Sequence, residues 1–217
     1  MLFSSIVHNS NKLKTFFNLL RNTKINMPNT KNLPTYFDEY VEKAKITKKS
    51  YALPQLNTFA FRYRLAESFQ GMIAPEVGRT LLGYDVLTKV FLAYTAYESI
   101  VKISRKLRVI NVEEIEINVI FDQPLAKRIR ANNMLKSYLI SHVKDVGLTT
   151  KINNFYSASS HDIVCVAYAL RNVFAHGDLT ASSVGTETIA KRKLFTDLAN
   201  VVLDYCDDRF SDCLDKL

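Results

Sequence analysis

Arg171, Asn172 and His176 stand together in the stretch Ala169-Leu170-Arg171-Asn172-Val173-Phe174-Ala175-His176-Gly177-Asp178. A histidine can accept or give a proton near neutral pH. An arginine keeps its charge and offers a planar fork that fits two oxygens of a phosphate. An asparagine amide between them can orient either group. The chemistry these types suit is proton transfer beside a held anion. The plainer reading is that Asn172 and His176 cap a helix end while Arg171 makes a surface ion pair.

The element that must position them is a helix. From His161 to Phe174, Ile163, Val164, Val166, Ala167, Leu170 and Phe174 recur at helical spacing. Ser159 and Ser160 are natural N-caps, and Asp162 in the first turn complements the dipole. Gly177 is a stop signal, because glycine takes the left-handed C′ conformation cheaply, so the helix should end near Ala175 or His176. Asn172 and His176, four apart, share a face. Arg171 and His176, five apart, lie about 140° apart on an ideal helix. They converge only if the end unwinds or a second copy completes the site.

Arg171-Asn172, then Val173-Phe174-Ala175, then His176 resembles the R-x4-H signature of the HEPN superfamily in its prokaryotic, ribonuclease-like form: all-helical domains in which a polar residue, often Asn, follows the Arg. With four histidines in the chain, such a match with Asn in place arises by chance at about 0.015. The likeness covers roughly residues 80–210. It implies a metal-independent endoribonuclease with no cofactor, in which the ribose 2′-OH attacks the adjacent phosphate. That reaction needs a base near the hydroxyl, a proton donor for the leaving 5′-oxygen and positive charge on the crowded phosphate. By resemblance, His176 is the acid/base, Arg171 stabilises the phosphorane and Asn172 positions. The motif in that family lines a cleft between two protomers, which implies a homodimer and removes the facing problem. Many members are toxins or defence proteins, which implies RNA as partner and an antitoxin or other regulatory protein as a second one. In members paired with a nucleotidyltransferase antitoxin a Tyr often stands two residues after the His. Here it is Asp178, so regulation by tyrosine nucleotidylation is not implied.

Composition agrees with that class. The chain has 217 residues, 47% of them hydrophobic, with six Gly, five Pro and no Trp, which supplies a core and few helix breakers. A net charge of +8 and a pI near 9.3 favour a polyanionic partner. Cys165, Cys206 and Cys213 show no metal-ligand spacing and are odd in number, as expected of reduced thiols in the cytoplasm. No apolar run reaches the ~20 residues of a membrane span. No phosphate-binding glycine loop, dinucleotide fingerprint, zinc-protease or nucleophile-elbow motif occurs.

Residues 1–32 form a basic, acid-poor arm or leader, with Met27-Pro28 as a plausible later start. Residues 33–210 read as one helical domain and 211–217 as an acidic tail; the acids that follow Asp204, namely Asp207, Asp208, Asp212 and Asp215, oppose the helix dipole, so fraying is expected there. A first helix carries Tyr36, Phe37, Tyr40, Val41 and Ala44. A second runs from about Asn57 to Gln70, with its aromatics beside Arg62 and Arg64, followed by a loop marked by Gly71, Pro75, Gly78 and Gly83.

The longest helix is expected from Tyr84 to about Leu107, with Glu98 on its buried side. A buried carboxylate needs a partner, and the useful one is Arg171, which it would orient from behind. Near 113–120, alternation of Ile115, Ile117 and Val119 with acids marks the one extended segment. Asp122 caps a helix running to about Val143, whose Lys127, Arg128, Arg130, Lys136 and, just beyond it, Lys144 face outward as candidate phosphate contacts. Gly147 to Ser157 reads as a polar connection, and a last helix starts at Gly185 or Thr186. His8, His142 and His161 read as surface or capping residues, His161 lying about 20 Å from His176 along the helix.

The expected fold is therefore an all-α, HEPN-like bundle of four to six helices. The competing expectation is a catalytically silent module of that fold that binds RNA or a protein partner, and a third is a dimer whose cleft senses a nucleotide. A ribonuclease expects Arg171 and His176 accessible in one cleft. A structural pair expects burial or a capping geometry.

Overall fold

The computed structural model describes residues 32–46, 52–74, 78–107 and 122–217. In chain order the helices are α1 (Phe37–Ile46), α2 (Leu53–Ser68), α3 (Thr80–Lys106), α4 (Gln123–Arg130), α5 (Asn133–His142), α6 (Val146–Tyr156), α7 (Val164–Ala175) and α8 (Ile189–Leu214), with a 3-10 turn at Ser182–Val184. Eight helices and no strand among the described residues make the fold all-α. Residues 1–31 and the expected extended segment near 113–120 lie outside the described residues. No helix among the described residues is long and apolar enough to cross a membrane.

Helices α3 and α8 form the spine, and α2 and α7 pack on α3. At 27 residues, α3 spans about 40 Å, and its stripe of Leu87, Val90, Ala93, Tyr94, Ile100 and Ile103 is buried. Facing it, α8 buries Phe195, Leu198, Val202, Leu203, Cys206 and Phe210. At the far end Phe210 stacks on Phe59 of α2 and meets Tyr40 of α1 edge-on.

The second helix starts at Leu53, earlier than the expected Asn57, with Pro54 in its first turn. Four further boundaries differ from the sequence expectation, each for a local reason. Gly83, expected in a loop, is inside α3, because the chain after α7 comes so close there that a Cβ would lie 2.2 Å from Thr186 Oγ1 and 2.6 Å from Ala181 Cβ. The single helix expected over 122–143 is two, since the Asn132 side chain accepts from Leu135 N and caps a new start. The expected connection at 147–157 is α6, whose Leu148, Ile152 and Phe155 share one buried face while its threonines and asparagines face out, with Asp145 accepting from Leu148 N as cap. Finally, α8 starts at Ile189 under a Thr188 cap and continues through Leu214 instead of fraying after Asp204. Phe210, Cys213 and Leu214 are buried there, and Lys43 Nζ donates to Leu214 O at 2.8 Å. Burying such side chains contributes about 1.5–3 kcal/mol each, against an unfavourable dipole effect of about 0.3–1 kcal/mol.

Candidate functional site

The motif residues occupy the last turn of α7, a helix whose Val164, Cys165, Val166, Ala167, Ala169, Leu170 and Val173 are all buried. Such a helix is held in the core on most sides, so the residues at its end are fixed by the scaffold. The end is closed tightly. Gly177 has φ 78°, its N–H reaches Phe174 O at 3.1 Å, and the Asp178 N–H reaches Val173 O at 3.2 Å. These are the two bonds of a Schellman motif, and glycine is the residue that permits the positive φ. The stop falls where the sequence places it. At the other end the N-cap position is Ile163, which has no side-chain cap; the Asp162 carboxylate just before it accepts from Val164 N at 3.0 Å, and Ser160 Oγ accepts from Asp162 N at 3.2 Å, so neither expected serine caps the helix itself.

Because the last turn is regular, Arg171 and His176 point different ways. Arg171 Nη2 lies 3.4 Å from Glu98 Oε2 on α3, and its Nη1 donates to Asn172 Oδ1 at 3.1 Å. The expected Glu98–Arg171 pair is thus formed, with the side chains 28% and 32% exposed. Arg171 Nε is buried without a hydrogen-bond partner. On the other face, Asn172 and His176 line a cleft of about 320 Å³ together with Val173, Asp178 and His142-Val143-Lys144-Asp145. His176 is exposed there. Its backbone N–H bonds Asn172 O, so its contribution to the helix end is made by backbone and leaves the imidazole to the cleft. One chain therefore brings Asn172 and His176 together and leaves Arg171 outside their cleft, joined to it through Asn172.

His142, 34 positions before His176 in the chain and on another element, sits in the same cleft. Its ring stacks on Tyr138, with centroids 4.0 Å apart and an 18° tilt. Nδ1 is 2.9 Å from Tyr138 O and 2.8 Å from Ser141 Oγ. The Tyr138 hydroxyl donates to Asp178 O, tying α5 to the residue just past the motif. No spacing rule could have found His142. Only the packing of the α5–α6 corner against α7 makes it a neighbour.

The other expected phosphate contacts divide. Arg130 turns inward: Nε and Nη2 donate to Phe155 O and Ser160 O, both at 2.7 Å, Nη2 is 3.1 Å from His161 Nδ1, and the guanidinium lies 4.7 Å above the Phe155 ring. The outward placement expected for it is corrected. Its guanidinium ties α4 to α6 and to the start of the motif segment. Arg128 is 2.8 Å from Asp197 of α8, Lys136 lies over the Tyr156 ring, and Lys127 is exposed.

A second pocket of about 270 Å³ borders Glu98 with Tyr94, Tyr97, Tyr168, Lys102, Arg105 and Lys151. Tyr94 and Tyr168 stack there at 5.2 Å. Burial, with Glu98 nearby, pushes the Tyr94 hydroxyl up. Asp162, on the same wall, is also pushed up by burial, against the opposing pull of its bond from Val164 N and of Lys151. Among the described residues no group of three or more His, Cys, Asp and Glu side chains is placed to hold a metal ion.

Comparison with protein-family models, with curated proteins and with solved structures found no match for this chain.

Proposed function

We propose that this protein is a HEPN-like, metal-independent endoribonuclease that cleaves RNA through the 2′-OH and acts as a homodimer. The observation that carries the reading is His176. Its exposed imidazole stands beside Asn172 in a polar cleft, on a helix end held by buried packing and a glycine-closed turn. Preorganisation of this kind is what proton transfer requires. Arg171 supports the reading through its placement: a carboxylate behind it and an amide beside it fix a guanidinium that stays about one-third exposed. A second copy facing the end of α7 would add its own Arg171 to the cleft of the first, giving the phosphate its counter-charge. Such an enzyme would act on RNA in the cytoplasm as a toxin or defence effector, under an antitoxin or other regulatory protein.

The placement of Arg171 outside the His176 cleft favours the second reading, a catalytically silent module of the same shape that binds RNA or a protein partner. Cleavage of a labelled mixed-sequence RNA in EDTA separates the two. The ribonuclease leaves 2′,3′-cyclic phosphate ends and loses activity in His176→Ala and Arg171→Ala. A silent module leaves the RNA intact.

A further inference from the structure

We propose that His142 is a second proton-transfer residue of the cleft, acting with His176 on a ribonucleotide phosphodiester. This rests on the ribonuclease reading and adds to it the group that an Arg-His motif leaves unnamed. In-line attack by a 2′-OH involves two protons. The base removes one from O2′ as the O2′–P bond forms, and the acid gives one to O5′ as the P–O5′ bond breaks. The products are a 2′,3′-cyclic phosphate and a 5′-hydroxyl, with no water or other reactant consumed. One histidine cannot do both at once on opposite sides of an in-line phosphorus. The cleft contains two histidines, contributed by different helices.

Several features suit His142 to this role. A carbonyl oxygen only accepts, so the 2.9 Å approach of Nδ1 to Tyr138 O assigns the proton of the neutral ring to Nδ1. Nε2 is then the nitrogen left with a lone pair. The stack on Tyr138 and the contact to Ser141 Oγ fix the ring plane. Tyr138 is in turn tied to Asp178 O, and burial pushes its hydroxyl up, so this support stays protonated. The other charged groups lining the cleft are Lys144, Asp145 and Asp178. Lys144 supplies positive charge for a phosphate. Asp145 is engaged by Leu148 N as the cap of α6, which leaves Asp178 as the carboxylate nearest in sequence to His176.

The test uses the full-length protein and His142→Gln, whose side chain cannot transfer a proton and whose site is exposed, so the fold is retained. With a cleavable dinucleotide in EDTA, kcat should fall about 10²–10⁴-fold with KM within about threefold. A bell-shaped pH profile should lose one limb. A 2′-deoxy dinucleotide, which binds without reacting, should shift the imidazole NMR signals of both His142 and His176. A His142→Gln enzyme with the wild-type rate and profile overturns this proposal and leaves the ribonuclease reading standing, as does a dinucleotide that shifts His176 alone. Wild-type protein that leaves the dinucleotide uncleaved overturns both.

Discussion

Arg171 reaches Glu98 across the α7–α3 contact at 3.4 Å and Asn172 on its own helix at 3.1 Å. It thereby couples a carboxylate in one pocket to an amide in the next. Removing the carboxylate would leave a half-buried guanidinium whose Nε already lacks a partner, while an isostere keeps the shape and loses the charge. On the proposed ribonuclease reading, Glu98→Gln should therefore fold normally and lower kcat/KM on RNA by about 10–100-fold, since misplacing a positioned group by about an ångström costs that much. Arg171→Lys should not restore activity, because a point charge does not reproduce the fork. Initial rates together with thermal melts would check both.

If the cleft of one protomer uses the Arg171 of the other, two inactive variants should complement. Mixing His176→Ala and Arg171→Ala dimers after subunit exchange gives half heterodimers, each with one intact site of two, so about a quarter of wild-type activity should return. Activity that stays at background after confirmed exchange would show that the two residues do not act across a dimer.

Gly83 is the point where the segment after the motif lies against the spine. Thr186 is buried there and donates to Ala181 O at 2.7 Å. Gly83→Ala would push a methyl into Thr186 and Ala181, at a cost of about 2–3 kcal/mol, or about 5–10 °C in Tm for a chain of this size. Pairing it with Thr186→Ala, which removes the Oγ1 that the new methyl would meet at 2.2 Å, would test whether the clash is the cause: the double variant should lose less Tm than the two single losses added together.

The motif helix was legible because its signals are local: apolar spacing up to Phe174 and a glycine at 177 that fits a positive φ. The caps at Asp122 and Asn132 use the same kind of chemistry. Yet the break at Asn132 is masked in the sequence, because Leu125, Ile129, Leu135 and Leu139 keep helical spacing across it. For α6, eleven residues with Gly147 near the start and polar side chains outward look like a loop until Arg130 and the α7 face give Leu148, Ile152 and Phe155 something to pack on. The site divides the same way. The Glu98–Arg171 pair could be reasoned from a carboxylate on a buried stripe, whereas His142 joins His176 only through the corner between α5 and α6, which no periodicity encodes.

Burial raises the folded-state pKa of Asp162 above that of the unfolded chain. The folded state then holds the proton more tightly. Its contribution to stability is full below the ordinary aspartate value near 4 and is lost as pH rises through the raised folded value. Asp162→Asn keeps an oxygen for Val164 N and removes the ionisation. Its stability relative to wild type should therefore climb between acid and neutral pH and level off above the folded pKa. Denaturant midpoints from about pH 3 to 8 would show the trend, and a flat difference would refute the raised pKa.

Arg130 and Lys127, neighbours on α4, separate structural from nucleic-acid roles. Arg130 gives two donors to backbone carbonyls at 2.7 Å, and charged hydrogen bonds of this kind contribute about 1.5–3 kcal/mol each. Arg130→Ala should lower Tm by several degrees at every salt concentration. Lys127 is exposed, so Lys127→Ala should leave Tm unchanged. If α4 tracks phosphates, it should reduce the slope of log affinity against log salt by about one unit. RNA binding titrated at several salt concentrations reads that slope directly. A slope unchanged in Lys127→Ala and in Lys136→Ala would show that these exposed lysines of α4 and α5 do not contact phosphates.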